Sequence, residues 1–152
     1  MTQRFDFSGR DHGGFRAMIA METHLHGSGL EAGLIHLVKM RASQINGCAY
    51  CLDMHSKDAR ALGETEQRLY ALNAWRETKF FSARERAALE WTEALTLVAK
   101  QGVSDEMYQR VGQHFSEAEL VDLTYVVATI NAWNRLAIAA HADVGDYQPQ
   151  QG

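Results

Sequence analysis

Pro149 is the only proline in this chain, and it lies in a polar terminal stretch, Gln148-Pro149-Gln150-Gln151-Gly152. Upstream of it no residue carries the fixed φ and missing N–H that stop a helix. Glycines and capping residues punctuate the chain instead, and between them apolar residues recur at helical spacing. No run alternates apolar and polar residues in the manner of a strand.

The spacing predicts a first helix over about 15–26, ending at Gly27-Ser28-Gly29. A second runs from about 30 to 43 or 44, with Leu34, Leu37, Val38 and Arg41 at helical intervals. Asn46-Gly47 is a break, and Cys48 opens a third helix to about 62, with Gly63 as the residue after its cap. A fourth covers about 66–78 and carries Leu69, Leu72 and Trp75. Ser82-Ala83-Arg84-Glu85 has capping-box spacing and opens a helix to about 100, ended by Gly102. Ser104 caps a short helix to about 114. Ser116-Glu117-Ala118-Glu119 is a second capping box, opening the longest helix, to about 142. The expected fold is all-α, a single-domain bundle of about seven helices. Residues 1–14 form an N-terminal extension, 15–142 the helical domain and 143–152 a C-terminal tail, of which 148–152 are expected to fray.

The length of 152 residues suits one domain with a real core, and 46% hydrophobic with 22% charged residues is an ordinary globular balance. A formal net charge of −4 gives no basic stripe, so no nucleic-acid partner is expected. No apolar run approaches the ~20 residues of a membrane span, and Met1-Thr2-Gln3-Arg4-Phe5-Asp6 has no apolar signal region. The expected compartment is the cytoplasm, where structural disulfides are rare.

The only two cysteines stand in Gly47-Cys48-Ala49-Tyr50-Cys51-Leu52-Asp53-Met54-His55. On a helix Cys48, Cys51 and His55 share one face, at positions i, i+3 and i+7. Cys48 falls in the first turn, where free N–H groups and the helix dipole favour a thiolate. Cys51 pairs with His55 at i+4, an imidazole placed to take the thiol proton and return one to a leaving group. A disulfide across so short a loop is worth about 2 kcal/mol, against about 3 for fifteen residues, so pairing here points to exchange more than to stability. Two other readings use the same residues. Free cysteines are commonly buried in cores. His36, Cys48, Cys51 and His55 also supply the two sulfurs and two nitrogens of a tetrahedral zinc site, though not at finger spacing. A C-x-x-C motif beside a βαβ pattern would indicate a thioredoxin; no βαβ pattern is present.

The run from Leu37 through Ser43-Gln44-Ile45-Asn46-Gly47-Cys48-Ala49-Tyr50-Cys51-Leu52-Asp53-Met54-His55 resembles the core of alkylhydroperoxidase D-like proteins, of the carboxymuconolactone decarboxylase-like superfamily. Similarity continues at Ser56-Lys57-Asp58-Ala59-Arg60, Gly63-Glu64-Thr65, Trp75-Arg76-Glu77, Glu85-Arg86-Ala87-Ala88-Leu89 and Asn131-Ala132-Trp133-Asn134-Arg135, and spans about 15–140. The resemblance implies an all-helical fold and a thiol-dependent peroxidase or disulfide reductase. It makes Cys51 the residue that attacks a hydroperoxide, Cys48 the resolving thiol and His55 part of a proton relay. It implies an external dithiol or redox-protein reductant and a homo-oligomer, a trimer or hexamer. Two positions depart from the family pattern. His36 stands where a glutamate precedes the first cysteine by twelve residues, and Tyr50 stands where a histidine precedes the second. A His36–water–His55 relay is the corresponding expectation.

Elsewhere, His24 and His26 read as exposed side chains, and Glu22 shares their helix. Tyr50 reads as a packing residue. Trp75, Phe80, Phe81 and Trp91 form a core stripe. Asn131, Trp133, Asn134 and Arg135 interrupt the long apolar helix, for which a subunit interface is one explanation. No glycine-rich nucleotide fingerprint is present, and no cofactor is expected.

Overall fold

Three short polar-rich segments, around Gly27–Glu31, Gly63–Thr65 and Gly102–Ser104, divide the chain into helical layers. The computed structural model describes residues 1–9 and 11–150; Arg10, Gln151 and Gly152 lie outside it. Among the described residues there is no strand. Eight α-helices follow in order: α1 Gly13–His26, α2 Ala32–Asn46, α3 Ala49–Ala61, α4 Glu66–Tyr70, α5 Ala83–Thr96, α6 Val98–Gln101, α7 Asp105–Gly112 and α8 Glu117–Ala140. A 3₁₀ helix, Leu72–Glu77, follows α4. The expectation was about seven helices, and the two extra come from breaks inside expected ones. The helix expected over 66–78 is interrupted at Ala71, and Ala74 leaves helical geometry (φ −116°, ψ 28°). The helix expected over 82–100 breaks at Leu97. Neither break has a glycine or proline to announce it.

The capping residues behave as the sequence requires. Ser82 Oγ accepts from the Glu85 amide (3.1 Å) while the Glu85 carboxylate accepts from the Ser82 amide (2.8 Å). Ser116 and Glu119 repeat the arrangement at 3.2 and 2.8 Å. Each box satisfies two N–H groups that a helix start leaves bare. Both carboxylates are also gripped by arginines: Arg68 reaches Glu85 and Glu64, and Arg84 reaches Glu119 and Glu31.

α2 is the central helix, packed against α3, α5 and α8. Its residues Leu34, Ile35 and Val38 join Leu25, Trp91, Leu123 and Val127 in the larger core cluster. Leu37 and Met40, on another face, join Leu72, Trp75, Phe81 and Leu89 in a second. The aromatic stripe is thus core at Trp75, Phe81 and Trp91, while Phe80 is exposed. Asn131 and Asn134 of α8 turn inward, onto α2. Asn46 Nδ2 donates to both Asn131 Oδ1 and Asn134 Oδ1 (2.9 Å each), and Asn134 Nδ2 donates to Ser43 Oγ (3.0 Å). They lock α8 to α2 within one chain; Arg135 alone stays outside, on Asn131.

Past α8 the chain turns at His141 (φ 51°) and runs back along α3. Lys57 Nζ donates to the carbonyls of Gly145 (3.0 Å) and Tyr147 (2.9 Å), and the Tyr147 hydroxyl donates to Asp58 (2.7 Å). The tail is therefore tied down at least to Tyr147. Gln151 and Gly152, to which the expectation of fraying also applied, lie outside the described residues.

Candidate active site

The α2–α3 junction is set by Gly47, whose positive φ (68°) a side chain would strain. The turn it makes delivers Cys48 to the N-cap of α3, where Cys48 Sγ accepts from the Cys51 amide (3.3 Å). The sulfurs of Cys48 and Cys51 are bonded to each other. Both residues are buried, in a small cluster with Ala42, Ile130 and Ala137. The pair differs in outlook. Cys51 lines a cavity of about 450 Å³ among α1, α2, α3 and α8. Cys48 faces away from it, toward a groove bordered by Ala137, Ile138 and Val144.

Helical periodicity builds the cavity. Cys51, Met54, His55 and Asp58 form a stripe at i, i+3, i+4 and i+7 on α3. α1 contributes Phe15, Ile19, Glu22 and His26 at the same kind of spacing, α2 contributes His36 and Lys39, and α8 contributes Trp133 and Ala137. Phe7 closes one side, packing against Tyr50 and Trp133 at centroid distances of 6.4 and 6.2 Å. Tyr147 closes another. Most of the lining is apolar, so the polar groups that remain are conspicuous.

Those groups fall into two sets. Glu22 and Lys39 satisfy each other across α1 and α2: the Lys39 ammonium, 2% exposed, donates to Glu22 Oε2. Trp133 Nε1 donates to the other carboxylate oxygen (2.9 Å). The histidines are different. His36 and His55 are each 7% exposed, their rings 5.9 Å apart, and the Nδ1 of each is buried without a hydrogen-bond partner. His55 Nδ1 lies 3.9 Å from Asp58 Oδ2, beyond a hydrogen bond. Burial, reinforced by the Lys39 ammonium, pushes His36 down to about 4. The same causes, with His36 added, hold His55 well below the ordinary histidine range. In both cases burial favours the neutral imidazole over the charged one. Burial also raises the Tyr50 phenol.

The four site residues named from sequence are thus brought together. Cys51, His55 and His36 share the cavity and Cys48 backs it. Tyr50 packs, as read, on Phe7. His24 is on the outside, 3.1 Å from Asp122. His26, expected to be merely exposed, is half-exposed and also lines the cavity. Lys39, Asp58, Trp133 and Tyr147 are site residues that sequence reasoning did not assign. For Lys39 and Asp58 a signal existed: they sit three residues from His36 and His55, on the same helical faces. Trp133 and Tyr147 reach the site from far along the chain, and no local pattern points to them.

An all-helical chain with a bonded C-x-x-C pair at a helix start beside a buried histidine defines a narrow class. The sequence profile of the carboxymuconolactone decarboxylase family matches residues 14–94, and the chain belongs to that family, as an alkylhydroperoxidase D-like member. It is 45% identical over 139 residues to the uncharacterized protein YdfG of Bacillus subtilis, covering 91% of this chain and 95% of that one. A crystal structure from Agrobacterium tumefaciens, of a protein described as of unknown function and a candidate antioxidant defence protein AhpD, matches with a TM-score of 0.90 at 38% identity, over 96% of this chain and all of that one. An uncharacterized peroxidase-related protein of Ralstonia eutropha, described as an alkylhydroperoxidase AhpD core, shares the fold: TM-score 0.77, 20% identity, 88% of this chain and 71% of that one.

Proposed function

We propose that this protein is a thiol peroxidase that reduces hydroperoxides through the Cys48–Cys51 pair. The observation that carries the reading is the asymmetry of the pair: Cys51 lines a mostly apolar cavity that also holds neutral His55 and His36, and Cys48 does not. His55 takes the Cys51 proton. The thiolate attacks the distal oxygen of ROOH, the O–O bond breaks, and Cys51 becomes a sulfenic acid while RO⁻ takes up a proton and leaves as ROH. His36, through water, passes protons to and from His55. The Lys39 ammonium, on the same wall, stabilises the negative charge that moves from sulfur to the leaving oxygen. Cys48 then attacks the Cys51 sulfur, closing the disulfide and releasing water. An external dithiol or redox protein reduces the disulfide. The kinship with a candidate antioxidant defence protein supports the same reading.

In this reading the protein works in the cytoplasm as a homo-oligomer, a trimer or hexamer. Val121 and Tyr125 of α8, Tyr108 of α7 and Val98 of α6 are large apolar side chains left exposed on the chain, and they favour self-association. Among the described residues no helix is long and apolar enough to cross a membrane.

The test is reductant-dependent consumption of an organic hydroperoxide by wild type, Cys48→Ser and Cys51→Ser. Turnover in wild type and in neither variant supports the proposal. Turnover retained by Cys51→Ser refutes it.

A further inference from the structure

The buried histidine nitrogens have a second use. We infer that His36, His55 and Asp58 form a binding site for a divalent transition-metal ion of the zinc type, held without either cysteine. A ligand atom from each of the three lies within 4.8 Å of the other two. In a tetrahedral zinc site, with ligand bonds near 2.0–2.1 Å, donors stand about 3.3 Å apart, so side-chain rotations of about 1 Å close the set. His55 Nδ1 and Asp58 Oδ2 already approach to 3.9 Å.

Two independent features support a ligand here. First, both Nδ1 atoms are buried and unpartnered, an arrangement that costs about 1–3 kcal/mol per group and calls for an occupant. Second, Asp58 is already oriented, with one carboxylate oxygen held by the Tyr147 hydroxyl (2.7 Å) and the other turned toward His55. Carboxylate ligands are commonly fixed in this way by outer partners. The charge also fits. Glu22 and Asp58 set two carboxylates against the single ammonium of Lys39 among the cavity's lining residues. Two imidazoles and one carboxylate select a zinc-like ion over magnesium or calcium, which prefer all-oxygen shells. All three residues line the same cavity as Cys51.

This set differs from the four-residue site that the sequence suggested. The two sulfurs are spent on each other, and Asp58 takes their place. Occupation engages His55 Nδ1 and so opposes its use as a proton acceptor, which makes the ion an inhibitor of thiol chemistry at the same cavity. The metal site itself does not depend on peroxide turnover, and its test is run on disulfide-bonded protein, where thiol activity plays no part.

The experiment is calorimetric titration of the full oxidised chain with Zn²⁺, after thiol titration has confirmed that no free cysteine remains. One Zn²⁺ per chain is expected. His36→Gln and Asp58→Asn should each weaken binding by more than tenfold, and Tyr147→Phe by roughly tenfold, as for an outer partner. Because a variant may lose its fold, Co²⁺ is added to unaltered protein as well. It should give the visible absorption of a four- or five-coordinate N/O site with no sulfur charge-transfer band. Absence of saturable binding up to about 1 mM Zn²⁺, binding unchanged in folded His36→Gln, or binding that appears only after reduction would each overturn the assignment.

Discussion

Two buried polar clusters lie within a few turns of each other on α2, and they are built on opposite terms. On one side a continuous chain of hydrogen bonds runs from Thr96 through Asn131, Asn46, Asn134 and Ser43 to the Lys39 carbonyl. On the other, the buried His36 and His55 have an unpaired nitrogen each. A satisfied cluster contributes to stability and specifies one helix packing. An unsatisfied one is a standing cost, sustained by the rest of the fold and recovered only when substrate, proton or ion arrives. The difference separates the part of α2 that holds the molecule together from the part that lines the candidate site.

Four measurements probe the two clusters. The largest effect belongs to the thiols. Cys51→Ser should abolish sulfenic acid formation after a peroxide pulse. Cys48→Ser should form it and then stall or over-oxidise, having no resolving thiol. Strong probe labelling at Cys48 in the Cys51→Ser protein reverses the assignment. Next comes His55→Ala, expected to slow the first step by roughly 10²–10⁴-fold, as for loss of a general base. Stopped-flow oxidation at fixed pH reads it, and a rate within threefold of wild type removes His55 from the relay.

The third is a pH effect on stability. His36 has its pKa lowered from 6.5 to about 4 by burial, so between those values the unfolded chain binds a proton that the folded chain does not. Above pH 6.5 this histidine is neutral in both states and has no effect. As pH falls toward 4, folding loses up to about 3 kcal/mol on its account. Urea unfolding of the metal-free protein at pH 7 and 4.5 should show a smaller acid loss in His36→Gln than in wild type; equal losses contradict the burial argument. The smallest effect is expected on the satisfied side. Asn134→Ala should cost about 1–3 kcal/mol, toward the lower end because Asn46 keeps Asn131 and Ser43 keeps the Lys39 carbonyl. Its thiol oxidation rate should match wild type. A tenfold slower rate would mean that the two clusters are coupled.

Much of this was legible in the sequence because it is local. The capping boxes at Ser82 and Ser116, the turn at Gly47 and the shared face of Cys48, Cys51 and His55 all follow from spacings under eight residues. The breaks at Ala71 and Leu97 escaped because alanine and leucine are good helix formers and only tertiary packing ends those helices. The inward turn of Asn131 and Asn134 escaped for a related reason. A polar residue on an apolar helix announces that it needs a partner, but not whether the partner is Asn46 of the same chain or another subunit. Trp133 and Tyr147 reach the cavity only because α8 crosses α1 and the tail doubles back over α3. Neither path has a local signature.

Cys48 is at once half of the disulfide and the cap of α3, and the two roles cannot be separated. While the bond is closed, the sulfur that accepts from the Cys51 amide is a weak, neutral acceptor. Reduction at a helix start favours a thiolate in its place, and a hydrogen bond to a charged acceptor is roughly twice as strong. The first turn of α3 therefore tightens when electrons enter the protein and loosens when they leave. Amide exchange at Cys51 should therefore be slower in the reduced protein than in the oxidised one.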